Sequence, residues 1–359
     1  MMKTSHARII GIGAYYPQEV QTNKAFHATQ FLKDYDVVNP KSGSAIATKF
    51  EEITEIRERR YATSGIRTSD MAAMAAESAI NDAEVDRELI DYIIVAHNFG
   101  DVDASNGYID QVPNLAARVK AALRIQNPRC VAYDLLFGCP GWVQGLIQAD
   151  YYLRTDEVAR VLVIGADTVA RVADPADMDY MLYSDGAGAV LLESKEANQG
   201  GIIGHRTVSN CAQELSYLRM DKAFDRSIDN ERLYLKMNGR RVYRYAVETV
   251  PQLILDCLQA NGLSLDEVKY VLIHQANGKM LRVMASRLFE LADRTPFDAS
   301  VFPMNVQQMG NNSVATIPTL LDELSRKELN DRGLRSGDLL VFASVGAGMH
   351  ANCLLYRVG

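Results

Sequence analysis

One order of elements runs through this chain twice, and that repetition restricts its fold more than any single motif. ARIIGIG at 7–13 is answered by GGIIGHR at 200–206, and the helix, acidic turn and strand of 78–98 by those of 257–277. FGCPGWVQGL at 137–146 is matched by MGNNSVATIP at 309–318, and RVLVIGAD at 160–167 by DLLVFASV at 338–345. Four matches in one order are hard to ascribe to chance likeness among apolar strands. The period is far too long for a solenoid, whose repeats run about 20–50 residues. The chain therefore reads as two halves of like topology, 1–199 and 200–359.

Within the halves, short apolar runs at 8–12, 92–96, 160–165, 187–192, 201–203, 268–273, 338–343 and 351–356 predict buried strands. Amphipathic stretches at 69–82, 111–123, 140–154, 241–260 and 314–328 predict helices between them. The alternation implies an α/β architecture with helices covering sheets. Pro318 should bend the last helix or mark a later start. Residues 35–55 break the pattern and read as a loop-rich cap near a binding site.

The remaining composition mostly excludes. A chain of 359 residues can build a core without staples. Its five cysteines, Cys130, Cys139, Cys211, Cys257 and Cys353, are odd in number and lack metal spacing, which points to a reducing cytosol and no metal site. No apolar run approaches the ~18 residues of a membrane span, and the N-terminus lacks a signal-peptide pattern. A net charge of −7 argues against nucleic acid as a partner.

Three residues stand out chemically. Cys139 lies in LLFGCPGW, where an apolar run turns into an amphipathic one; with Pro140 at the first helical position, Cys139 reads as the N-cap. The free N–H groups there would lower its thiol pKa. A small buried cysteine is the plainer reading of Cys139 alone. His274 ends a strand in YVLIHQAN, where α/β proteins place ligand groups, although a hydrogen-bonded structural histidine is the better reading of this residue alone. Asn311 holds the place in the second half that Cys139 holds in the first; helix capping is its plainer role. If a pseudo-twofold axis relates the halves, the two elbows face a shared centre with His274 alongside. A nucleophile flanked by His and Asn is a chemical arrangement rather than a packing pattern.

On these residues, and on GIGAYYP, EIRERRYA at 55–62, YSDGAGAVLLE at 183–193, HQANGKM at 274–280, GNNSVAT at 310–316 and SVGAGMHAN at 344–352, the chain resembles the β-ketoacyl-acyl carrier protein synthase III family. The resemblance implies a thiolase-like fold of two pseudo-twofold halves in α-β-α-β-α layers. It implies a Claisen condensation of a Cys-bound acyl group with a malonyl thioester, and no cofactor. The family's nucleophile falls on Cys139 and its decarboxylation pair on His274 and Asn311. An oxyanion hole falls on the N–H groups of Cys139 and Ala347, Ala347 replacing the family's Gly. Asp185 and Gly186 match a structural turn. Val345 falls in the substrate tunnel, and Val112, before Pro113, falls where the family reaches into the partner subunit's tunnel, so a homodimer is expected.

Some positions depart from the family. Lys49 and Ile53 stand where a Trp and an Arg would clamp the adenine of coenzyme A, and Glu55 replaces a Gly. Lys279 and Arg282 keep a cationic rim suited to an acidic acyl carrier protein, which makes carrier-bound acyl thioesters the expected donors and coenzyme A thioesters the lesser ones. The lost clamp and small Val112 also fit relatives that join two acyl chains into cyclohexanedione or dialkylresorcinol precursors. A non-catalytic partner subunit of a ketosynthase is the third reading, against which Cys139 stands.

Overall fold

Strands form where buried aliphatic residues alternate between two faces. Along Arg160–Thr168, Val161 and Val163 enter one core while Leu162, Ile164 and Ala166 enter another. The computed structural model describes residues 5–155, 157–196, 200–227, 232–296, 298–326 and 333–359. The expected boundary at residue 199 and the last two residues of the helix expected over 314–328 lie outside the described residues.

Two sheets carry the fold. The first runs Ser5–Tyr15, Asp185–Glu196, Arg160–Thr168, Tyr92–Ala96, Val131–Leu135, with two antiparallel pairings followed by two parallel ones. The second runs Gly201–Ser209, His350–Arg357, Leu339–Gly346, Val268–Ile273, with two antiparallel pairings and one parallel. The plan is the same except that the first sheet has one more edge strand, Val131–Leu135, which leads directly to Cys139.

Helices Gly141–Leu153 and Thr316–Ser325 lie between the sheets. Trp142, Leu146, Ile317 and Leu320 pack there with Val163 and Val190 from the first sheet and Phe342 and Leu354 from the second. Trp142 meets Phe342 edge-on at 5.8 Å, an arrangement worth roughly 0.5–1.5 kcal/mol beyond its buried area. Thr68–Ala83 and Leu115–Ala122 cover the outer face of the first sheet, and Gly239–Ala260 and Gly278–Leu291 that of the second. The result is a five-layer α-β-α-β-α thiolase-like fold.

The helix expected at 111–123 begins only at Leu115, because Pro113 disfavours helical backbone at the residue before it and Asn114 is the extended N-cap. Pro318 falls in the first turn of Thr316–Ser325, where its missing N–H has no helical partner to lose. The cap at 35–55 contains helix Gly43–Thr54, whose Ser42 Oγ accepts from Ala45 N–H at 3.3 Å.

Candidate active site

Two elbows meet between the sheets. In the first, Gly138 is left-handed, with φ 63°, and a Cβ there would come within 2.9 Å of Ala347 N. Only glycine satisfies both the conformation and the contact. Cys139 follows, and Pro140 then starts the helix: it is the N-cap, and its carbonyl accepts from Gln144 N–H at 2.9 Å. The sequence pattern places Cys139 at the N-cap and Pro140 inside; the structure moves each one position outward. The expected fall in the thiol pKa is also corrected. Burial pushes Cys139 up to about 11, and the Ser313 hydroxyl opposes that only in part. Asn352 Nδ2 donates to Pro140 O at 3.0 Å, so the second half braces this elbow.

The second elbow opens on another left-handed glycine, Gly310, with φ 62°. Asn311 N–H donates to Leu182 O and Asn311 O accepts from Ser184 N–H, both at 2.9 Å, so the first half braces this one. Asn311 Oδ1 accepts from Ser313 N–H at 3.0 Å, which leaves the side-chain NH2 to donate. Ser313 is itself left-handed, with φ 56°, a conformation that costs a side-chain-bearing residue roughly 1–2 kcal/mol.

His274 follows strand Val268–Ile273, and its N–H donates to Ala343 O at 2.9 Å. Its Nδ1 lies 2.8 Å from Thr316 Oγ1, leaving Nε2 for a ligand. Burial lowers its pKa to about 4, so the ring is neutral near pH 7.

Cys139, His274, Asn311, Val345 and Ala347 all line one cavity of about 1020 Å³. Gly346 packs so closely that a Cβ on it would meet Cys139 N at 2.5 Å, which brings the backbone entering Ala347 against that of Cys139. Asp185 accepts from the N–H groups of Ala62 and Ala170 at 2.9 and 3.1 Å, a structural use in keeping with its turn motif.

Three expected residues lie elsewhere. Val112 is 87% exposed and does not line its own chain's cavity. Lys279 is exposed on helix Gly278–Leu291, outside the lining. Arg282 is not a free rim cation: its Nε and Nη2 reach the two Glu55 carboxylate oxygens at 2.8 and 3.0 Å. Glu55 makes this pair from a left-handed backbone, φ 62°, where glycine would be unstrained. Lys49 and Ile53 line the mouth, and Lys49 also pairs with Glu52 at 2.8 Å.

The sequence reading misses several lining groups. Lys41, Arg219 and Arg240 add cations to the lining, and Asp179 places a carboxyl among Met178, Leu182 and Tyr183, raised to about 7 by burial and by the charge of Asp177. Asn98 and Ser313 line the wall beside Cys139. Asn98 had a signal, since it ends the 78–98 segment that repeats at 257–277. Among the described residues no cluster of three metal-ligating side chains occurs, and no helix is long and apolar enough to cross a membrane.

Residues 133–210 match the family model for 3-oxoacyl-[acyl-carrier-protein] synthase III, and residues 258–358 match the model for its C-terminal part. The chain is 31% identical over 353 residues to β-ketoacyl-[acyl-carrier-protein] synthase III 1 of Vibrio vulnificus, covering 98% of this chain and 99% of that one. It is 34% identical over 362 residues to β-ketoacyl-[acyl-carrier-protein] synthase III of Gloeobacter violaceus, with 98% of each covered. The crystal structure of 3-oxoacyl-(acyl carrier protein) synthase III from Pseudomonas aeruginosa superposes with a TM-score of 0.80 at 26% identity, covering 98% of both chains.

Proposed function

The chain belongs to the 3-oxoacyl-[acyl-carrier-protein] synthase III family of condensing acyltransferases, and from that premise we propose that Cys139 is its nucleophile and that His274 and Asn311 drive decarboxylation. The observation that carries this reading is that a thiol from one half and an imidazole and carboxamide from the other line a single apolar-walled cavity.

The Cys139 sulfur attacks the carbonyl of an acyl thioester, and the carrier thiol leaves with a proton. The thiol is protonated near pH 7, since its pKa is pushed up to about 11. It therefore gives up that proton as the donor binds. A malonyl thioester enters next. Its carboxylate C–C bond breaks, CO2 departs, and the electron pair delocalises onto the thioester oxygen. The Asn311 NH2 and His274 Nε2–H hold that oxygen. For Nε2 to donate, Nδ1 accepts from the Thr316 hydroxyl 2.8 Å away. A neutral imidazole suits the step, because it donates without competing for the carboxylate. The α-carbon then attacks the acyl-Cys139 carbonyl, whose oxygen is held by the N–H groups of Cys139 and Ala347, and collapse releases the thiolate. Each donor to a developing oxyanion contributes roughly 3–4 kcal/mol.

The donor is an acyl group on an acidic carrier protein in preference to coenzyme A. Lys41 and Arg240 in the cavity lining, with exposed Lys279 on the chain's surface, support it, whereas Lys49 and Arg219 are partly neutralised by Glu52 and Asp221. Lys49 and Ile53 offer no aromatic–guanidinium clamp for adenine. The enzyme works as a homodimer in which Val112 enters the partner's tunnel. Exposed Tyr108, Ile109 and Val112 on one loop support that face as an interface.

Intact-mass spectrometry after incubation with matched acyl-carrier and acyl-coenzyme A donors tests both parts. A single acyl adduct on Cys139, formed faster from the carrier, is expected, with the preference shrinking as salt rises. Faster loading from coenzyme A, indifferent to salt, contradicts the carrier assignment.

A further inference from the structure

Behind Cys139 runs a hydrogen-bonded chain that the condensation steps above do not use. Ser313 Oγ lies 3.5 Å from Cys139 Sγ as donor. Asn98 Nδ2 donates to Ser313 Oγ at 3.0 Å and to Asp167 Oδ2 at 2.7 Å, and Asn98 N–H donates to Asp167 Oδ1 at 2.9 Å. Asp167 is about 1% exposed. It sits near the end of strand Arg160–Thr168, beside the parallel strand Tyr92–Ala96 that leads to Asn98.

The direction of this chain follows from its chemistry. Both Asp167 oxygens accept, so the Asn98 group facing them must be its NH2. That NH2 has two hydrogens, one directed at Asp167 and the other at Ser313. The Ser313 oxygen thus accepts from Asn98, which turns its single hydrogen away from Asn98, and the sulfur 3.5 Å away accepts it in competition with the Asp167 carboxylate. The left-handed backbone of Ser313 is held in place by Asn311 Oδ1, which accepts from Ser313 N–H. A strained residue kept in this position next to a nucleophile motivates a functional role.

We propose that Asn98 and Asp167 are positioning residues that orient the Ser313 hydroxyl to donate to Cys139 sulfur, stabilising its thiolate between acyl transfers. The inference rests on Cys139 as nucleophile. Burial, and to a lesser degree the Asp167 charge, raises the thiol pKa; Ser313 is the side-chain donor that opposes the rise, and its loss leaves them less opposed. The other titratable groups facing the sulfur are Tyr183 and His274, with Asp167 behind Asn98 and the His97–Asp134 pair beyond it.

The test follows carbamidomethylation of Cys139 against pH by peptide mass spectrometry, which separates it from exposed Cys211. Ser313→Ala should raise the midpoint by about one pH unit, a tenfold loss of thiolate at a given pH. Asn98→Ala should give a shift of the same sign, and the double variant should show little beyond Ser313→Ala alone, since both act through one bond. A structural role for Asn98 predicts lost melting temperature without a shared midpoint shift. Should Asn98→Ala fail to fold, Asn98→Ser carries the same test, because it shortens the donor to Ser313 while leaving the Asp167 charge, which itself raises the thiol pKa, in place. Unchanged midpoints in a folded Ser313→Ala, or shifts that add in the double variant, overturn the proposal. Acyl loading measured on the same samples reports separately on Cys139 as nucleophile, so the two claims fail independently.

Discussion

The two elbows begin alike and end differently. Each opens on a left-handed glycine, Gly138 with φ 63° and Gly310 with φ 62°, and each leads to a helix between the sheets. The first is short: Cys139 and Pro140 are followed at once by helix Gly141–Leu153. The second is longer, running through the 3-10 turn Ser313–Ala315 before helix Thr316–Ser325. The entries differ too, a strand at Val131–Leu135 in one case and a short helix at Val306–Met309 in the other. A duplicated turn thus delivers one nucleophile on its tight side. On its loose side it delivers several donors: Asn311 at the place of Cys139, Ser313 at the start of the extra turn, and the Thr316 hydroxyl at His274 just beyond it.

The comparison breaks most completely at the tight elbow. Cys139→Ser should reduce acyl loading at least about a thousandfold, since an alcohol ionises far less readily than a thiol and is the weaker nucleophile. Adduct formation at the parent rate would place the nucleophile elsewhere. Next comes His274→Ala, for which CO2 release from a malonyl thioester should fall roughly a hundredfold or more while loading persists. Loss of both activities together would give His274 a role in loading as well.

The glycines sharpen the likeness. Gly138→Ala and Gly310→Ala each force a side chain into a left-handed backbone, at about 1–2 kcal/mol from conformation alone. Gly138→Ala also presses a methyl against Ala347 N, 2.9 Å away, and Gly310→Ala presses one against Arg59 Cβ at the same distance. Both should lower the melting temperature. Only Gly138→Ala should slow acyl transfer markedly, because it shifts the N–H assigned to the oxyanion hole. Equal kinetic effects would remove that distinction.

A smaller effect concerns pH. His274 titrates at about 4 in the folded chain against an ordinary 6.5. The unfolded chain therefore binds more protons between those values, and folding stability attributable to this residue falls as pH drops from about 6.5 to about 4. Denaturant melts of His274→Gln should show a shallower loss of stability across that window than the parent. Decarboxylation by the parent should hold down to about pH 5, and an acid limb near 6.5 would indicate a solvated His274.

The sequence discloses the inner strands because their buried runs are short, aliphatic and bounded by turns, but not edge strand Val131–Leu135, which is only partly buried; it discloses the likeness of the halves because the order repeats. It shows Cys139, His274 and Asn311 through motifs at element ends. Helix Gly278–Leu291 escapes notice although Asn277 caps it and Met280, Leu281, Met284, Ala285 and Leu288 fall on one face; its first residues read more readily as a motif than as a helix. The thiol pKa is misjudged because helix-end logic is local, whereas burial depends on the whole fold. Arg282 looks like a free cation until Glu55, distant in sequence, is seen beside it. The Asn98–Ser313 contact spans 215 positions and has no local pattern to announce it.

The most direct test of the convergence of the two elbows uses Asn311→Ala, with both half-reactions read in one sample. After incubation with an acyl donor and then a malonyl thioester, mass spectrometry follows acylation of Cys139 while released CO2 is counted. The account predicts that the acyl adduct forms at close to the parent rate and persists, because CO2 release falls by roughly a hundredfold. An adduct that fails to form, or decarboxylation at the parent rate, would contradict the assignment of the nucleophile to one elbow and the enolate-holding donor to the other.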